Sequence, residues 1–409
     1  MEDRSFKPLF SLPVIVAALG YFVDIYDLLL FSIVRRPSLI SMGVPDDQLL
    51  TKGEFLLQWQ MFGLLLGGLI WGIMGDKRGR LSVLFGSILL YSLANIANGF
   101  VTTVNQYAVL RFIAGIGLAG ELGAGITLVS ESLPTRLRGY GTTLVATVGL
   151  MGAVVANFVA KEFSDWQVAY FVGGGLGLLL LLLRISVFES NVFLELKGTS
   201  IERGNFFMLF TNAARLKKFL GCIFIGTPIW YVIGILIFAS PEIAATLGVT
   251  EKIFSGDAVM WSYIGLAAGD LVSGLLSQFL KSRKKVVLLF IVLTCVFVLI
   301  YLFTTHISPE RFYFNCFLLG FGAGYWALFV TISAEQFGTN LRSTVATSVP
   351  NFIRGTVVPF TALFQVLRGH WGVVYGALGV GAITLVIALI AFLAIDETFS
   401  RDMNFVEKD

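Results

Sequence analysis

Residues 63–80 read GLLLGGLIWGIMGDKRGR, thirteen uncharged residues followed by a turn in which four of five are charged. A run this apolar must satisfy its own backbone hydrogen bonds as a helix if hydrocarbon surrounds it. Its glycines, Gly63-x3-Gly67-x4-Gly72, let a neighbouring helix come close. The basic turn Lys77-Arg78-Gly79-Arg80 marks where the helix leaves the membrane. The pattern returns two hundred residues later as Gly265-x3-Gly269-x4-Gly274, followed by Lys281-Ser282-Arg283-Lys284-Lys285. One stretch thus predicts both a membrane helix and a chain built twice over.

The rest of the chain agrees. Of its 409 residues 56% are hydrophobic and 13% charged, against about 25% charged in a soluble domain. That composition excludes a water-soluble enzyme, a disordered scaffold and a disulfide-stapled secreted protein. Cys222, Cys295 and Cys316 fall singly inside apolar runs, so neither a disulfide framework nor a zinc site is expected. A net charge of +3 is too small to imply a nucleic-acid partner. No small-residue cleavage site follows the first apolar run, and no removable signal peptide is expected.

A membrane helix needs about 20 mostly apolar residues. Such runs lie near 11–34, 55–75, 81–101, 107–130, 140–160 and 168–188, then near 219–240, 257–280, 286–305, 311–333, 344–367 and 372–395. With both termini inside, the inner segments hold 20 of the 29 Lys and Arg residues and the outer ones 8, Arg354 lying within a span. That excess predicts cytoplasmic termini. The polar stretch 191–218 divides the chain into a bundle at 1–190, a cytoplasmic linker and a bundle at 219–409. Glu131 and Arg138 after the fourth run recur as Glu335 and Arg342 after the tenth, seven residues apart each time. Parallel repeats of this kind suit two bundles rocking about a site at mid-membrane.

Four motifs carry a family resemblance. Gly75-Asp76-Lys77-Arg78-Gly79-Arg80 is similar to the signature loop of the major facilitator superfamily. Arg111-x3-Gly115-x-Gly117 resembles the opening of that family's fourth span. Glu131-Ser132-Leu133-Pro134 running to Arg138-Gly139 resembles the loop after it, and Arg184-x4-Glu189-Ser190 the exit from span six. Within the superfamily, Asp24-Ile25-Tyr26-Asp27 and Gly120-Glu121 resemble proton-coupled phosphate and metabolite symporters. The glutamine pair of sugar porters is missing from Gly226-Thr227-Pro228-Ile229-Trp230-Tyr231. The resemblance implies an all-α membrane protein of twelve helices in two pseudo-symmetric six-helix bundles. It also implies a monomer in the bacterial inner (plasma) membrane.

Charges at mid-membrane depth are the candidates for mechanism. Asp24 lies eleven residues beyond Pro13, about 16 Å along a helix and so near the middle of a core about 30 Å thick. Asp27 shares its face. A charge there costs at least about 2.5–3.5 kcal/mol, so these carboxyls, with Glu121 in the fourth run, are candidates to carry protons. Arg111, at the outer end of the fourth run, is either structural or part of the site, and its long stem allows it to snorkel to the interface. Asp270 and Arg354 either pair with each other or serve the substrate, Arg354 meeting an anionic group. The resemblance turns Tyr26, Trp230, Tyr231, Tyr325 and Trp326 toward the cavity. It also makes gates of Asp76 with Arg80, Glu131 with Arg138, and Glu335 with Arg342.

No P-loop, G-x-S-x-G or HExxH is present, so no enzyme activity, metal or cofactor is expected. The expected function is alternating-access transport of a small polar metabolite (organic acid, amino acid or phosphate), coupled to protons as symport. The alternative is a proton-driven exporter of drugs or cations, or a sugar transporter.

Overall fold

The structure, a computed structural model, describes residues 6–134, 137–163, 165–184, 206–399 and 407. The side chains of Asp76, Arg80, Glu131 and Arg138 lie outside that description, as do residues 185–205, which hold most of the expected linker. All regular structure among the described residues is helical. The first half comprises α1 (Leu12–Ser41), α2 (Leu49–Arg78), α3 (Arg80–Asn98), α4 (Val104–Leu118), α5 (Glu121–Ser132), α6 (Arg138–Glu162) and α7 (Trp166–Arg184). The second comprises α8 (Ala213–Phe224), α9 (Thr227–Tyr231), a π turn (Val232–Ile237), α10 (Ser240–Thr246), α11 (Ser255–Phe279), α12 (Arg283–Phe303), α13 (Pro309–Ala323), α14 (Trp326–Glu335), α15 (Arg342–Gly355) and α16 (Val357–Ala394). Helix α8 starts inside the stretch read as linker, because the Asn212 side chain caps it by accepting from the backbone N–H of Ala214 at 2.8 Å.

Ten helical stretches among the described residues are long and apolar enough to cross a membrane. One of them, Thr344–Ala394, has 51 residues, about 76 Å of helix, more than twice the bilayer core. It breaks at Gly372, whose φ of +77° suits a residue without a side chain. Beyond the break the chain doubles back, bringing Gly376 against the backbone of Arg368. The run expected near 107–130 is split between α4 and α5.

The glycine spacing in the sequence proves to be a repeat of packing. A Cβ on Gly63 or Gly67 of α2 would land on the carbonyl oxygens of Phe112 and Ile116 in α4. A Cβ on Gly265 or Gly269 of α11 would land on those of Phe317 and Phe321 in α13. Each half therefore seats the same two helices backbone to backbone, where dispersion and close C–H···O contacts replace the hydrophobic drive that lipid does not supply. Across the halves, α15 lies on glycines of the first half: Asn351 against Gly68, Thr344 against Gly72 and Thr347 against Gly123. Helix α11 packs on α6 and α1. The seam between halves runs along these contacts.

Candidate functional site

Where α1, α6, α9, α11, α14 and α15 meet at the seam there is a small gap between buried side chains, with room for about one water. Tyr21, Ile25, Trp230, Tyr263, Trp326 and Arg354 form most of its wall. The Arg354 guanidinium, 1% exposed, stands 5.7 Å from the ring of Trp230 and 5.6 Å from that of Trp326. The two indoles meet edge to face. From the other half, Asp24 brings its Oδ2 to 3.7 Å from Arg354 Nη2, an ion pair without a hydrogen bond. Both carboxylate oxygens of Asp24, the Nε and Nη2 of Arg354, and the indole N–H groups of Trp230 and Trp326 lack hydrogen-bond partners. Leaving a buried polar group unpaired costs about 1–3 kcal/mol. The gap thus collects four unpaired donors beside one carboxylate.

Breaks in the helices put these residues at one level. Helix α13 stops at Ala323 and α14 restarts at Trp326, freeing backbone N–H groups in the membrane interior. Asp270 supplies the acceptor, its Oδ1 taking the N–H of Ala327 at 3.0 Å, a carboxylate at a helix N-terminus. Asp270 therefore pins the indole of Trp326 in the wall, and Arg354 turns to Asp24 instead. Of the two options that the sequence left open for Asp270 and Arg354, pairing with each other is absent.

The other expected residues divide. Glu121, first in α5, forms a two-point ion pair with Arg184, both side chains fully buried. Arg111 is buried rather than snorkelling: it donates to the Tyr170 hydroxyl at 3.0 Å and lies against the rings of Phe31 and Tyr170. Asp27 is buried behind Asp24 against Gly173, and its oxygens make no hydrogen bond. Tyr26, Tyr231 and Tyr325 face away from the gap. Their hydroxyls donate to the carbonyls of Ala169, Ala377 and Ile225 at 2.9, 2.8 and 2.9 Å. Among the expected gate residues, Asp76, Arg80, Glu131 and Arg138 have side chains outside the description, and Glu335 pairs with Arg283 at 2.7 Å. Arg342 is the first residue of α15.

Sequence reading missed Tyr21 and Tyr263, which looked like ordinary span residues, and it missed the contacts that close the far end of the seam. There Glu242 accepts from Arg35 at 2.9 Å and Glu54 accepts from Gln365 and Arg368 at 2.8 and 2.9 Å. Asp257 takes Lys161 at 2.5 Å and Asn157 at 3.0 Å. All three sets join one half to the other. Their signal was present only as isolated charges at span ends, which read as loop residues.

Two helical halves that repeat each other's packing, closed around a polar site at their seam, define a secondary transporter rather than an enzyme. The chain belongs to the major facilitator superfamily: that family's sequence model matches residues 51–249, and the motifs and fold agree with it. The solved structure of the proton:xylose symporter XylE bound to 6-bromo-6-deoxy-D-glucose superposes with a TM-score of 0.72. That comparison covers 97% of this chain and 98% of that one at 16% identity, so it speaks for the fold. A protein of Haemophilus influenzae, provisionally named a metabolite transport protein, is 27% identical over 93% of this chain and 91% of its own length. The sialic acid transporter NanX of Escherichia coli is 26% identical over 69% of this chain and 67% of its own. The niacin transporter NiaP of Acinetobacter baylyi is 31% identical over 39% and 36%. The protein is a multi-pass transporter of small molecules in the bacterial inner membrane.

Proposed function

We propose that the protein is a proton-coupled symporter for an organic monocarboxylate with a flat or apolar body. The observation that carries this reading is the gap itself: Arg354 between two indoles, four unpaired donors, and Asp24 at 3.7 Å. A guanidinium fork matches a carboxylate with two parallel hydrogen bonds, and the indole faces and Tyr21 receive the body. The names of the relatives fit, since sialic acid and niacin both carry a carboxylate.

Coupling follows from charge. Substrate carboxylate and Asp24 compete for one guanidinium, and a carboxylate left unpaired in the membrane interior costs several kcal/mol. Asp24 therefore accepts a proton when substrate takes Arg354, and Asp27 behind it receives or passes on that proton. Glu121 is held by Arg184 in the wall of the first half. The transport cycle rocks the bundles 1–190 and 219–409, joined by the linker 191–218, with twelve crossings and both termini cytoplasmic. Asp76, Arg80, Glu131, Arg138, Glu335 and Arg342 gate the inner side, and the ionic contacts of Glu242, Glu54 and Asp257 gate the outer. The protein works as a monomer.

Uptake by purified protein in liposomes tests this, with benzoate, nicotinate and sialic acid against benzamide and glucose. An inward proton gradient should drive accumulation of one or more of the acids, and Asp24→Asn should abolish the drive. Uptake that ignores the gradient and is unchanged by Asp24→Asn would sink the reading.

A further inference from the structure

Asn351 lies one helical turn before Arg354 on α15 and is 2% exposed. Its amide is committed in three directions. The Oδ1 accepts from Arg354 Nη1 at 3.2 Å, while the Nδ2 donates at 2.8 Å to the Thr347 carbonyl of its own helix and at 2.8 Å to the Ala119 carbonyl of the other half. A flipped amide would set NH2 against the guanidinium and oxygen against two carbonyls, so only one orientation is tolerated. Ala119 sits at the break between α4 and α5, immediately before the stretch that presents Glu121. Gly68 lets the side chain approach α2, its would-be Cβ falling 2.7 Å from Asn351 Cβ.

We propose that Asn351 is a positioning residue that makes the presentation of Arg354 depend on the seating of α15 against the first half. While the halves touch, the Ala119 carbonyl fixes the amide, and the amide fixes the guanidinium between the two indoles. When the seam opens on the side of Thr344 and Thr347, the amide loses its anchor in the first half and keeps only the Thr347 carbonyl of its own helix. The acceptor for Arg354 is held at one point instead of two. Substrate held by the fork is then released on that side. This inference rests on the function proposed above, because it assigns Asn351 through the carboxylate-binding role of Arg354.

The test is a binding cycle in detergent with [14C]benzoate as probe, on wild type, Asn351→Ala, Arg354→Lys and the double variant. Melting temperatures are taken in parallel, and Asn351→Ser replaces Asn351→Ala if the latter does not fold. The expected result is a tenfold or greater loss of affinity in Asn351→Ala that adds nothing to the loss in Arg354→Lys. A second arm locks the seam with Gly72→Cys and Thr347→Cys. The would-be Cβ of Gly72 lies 3.7 Å from Thr347 Cβ, within the usual disulfide range. The oxidised pair should hold benzoate at least as tightly as the reduced pair, and the difference should vanish when Asn351→Ala is added. No benzoate binding by wild type is a failure of the proposed function. Wild-type binding that Asn351→Ala leaves intact, or that it weakens by the same factor in the Arg354→Lys background, overturns the role of Asn351.

Discussion

The ion pair between Glu121 and Arg184 offers a quantitative test of how the first half is held together. Both side chains are fully buried, the guanidinium meets both carboxylate oxygens, and its Nη1 also donates to the Leu84 carbonyl at 3.2 Å. The pair ties α5 to α7 and α3. Glu121→Gln leaves the arginine charged with nothing to balance it, and breaking a buried pair in this way costs about 3–5 kcal/mol. Removing both partners as Glu121→Leu with Arg184→Leu should recover most of that loss, because no buried charge is stranded. Gly20→Ala reaches the same pair by steric means alone, since its Cβ would collide with both partners. The assay is unfolding in mixed micelles followed by circular dichroism, each variant compared with wild type at one detergent composition. A destabilisation by Glu121→Gln of less than about 1 kcal/mol, or a double variant no better than the worse single, would refute the reasoning.

Other consequences follow from the packing and the termini of the helices. Gly320→Ala places a methyl group on the Ser262 carbonyl where neither backbone can give way, and should cost about 1–3 kcal/mol in the same unfolding assay. Gly274→Ala, which meets nothing within 4 Å, should stay within about 0.5 kcal/mol. Arg368→Ala leaves Glu54 with Gln365 alone at the far end of the seam. Losing bonds to a charged group worth about 1.5–3 kcal/mol should shift the open–closed equilibrium there roughly tenfold or more, read as faster maleimide labelling of a cysteine placed at Tyr263. At the other end, Glu397 ties the last described segment to the start of α12. Burial pushes its carboxyl up, but the Ser282 hydroxyl and the N–H groups of Phe399, Arg283 and Lys284 outweigh that and hold it at about 2. The contact therefore stabilises above the ordinary value of 4.5 and is lost as pH falls toward about 2. Glu397→Gln should speed hydrogen exchange at Arg283 and Lys284 at pH 7, and the difference from wild type should shrink across that window.

What the sequence disclosed depended on how local the cause was. Gly63, Gly67, Gly265 and Gly269 could be read because close helix packing requires a small residue at fixed spacing, and spacing is a property of the chain. Asp24 and Arg354 could be singled out because a charge is costly at that depth wherever it points. Their meeting could not, since it depends on the rotation of two helices 330 positions apart in the sequence. The same holds for Arg184, which figured only as the opening of an exit motif and turned out to be the partner of Glu121. Asp270 could be read as structural or substrate-binding but not as a cap: the break before Trp326 was not visible in an apolar run, so the need for a carboxylate at a new helix N-terminus was hidden too. Tyr231 and Tyr325 were grouped with the indoles because the family resemblance turns their spans toward the cavity, yet their hydroxyls close carbonyls within the second half.

The central claim is that a substrate carboxylate and a proton change places around Arg354 and Asp24. Proton uptake on binding measures this most directly. Benzoate is added to weakly buffered, detergent-solubilised protein near pH 7, with a pH indicator reporting the protons taken up. Wild type should take up about one proton for each benzoate bound, and Asp24→Asn should bind benzoate and take up none. Binding without proton uptake in wild type, or the same uptake in Asp24→Asn, would contradict the account.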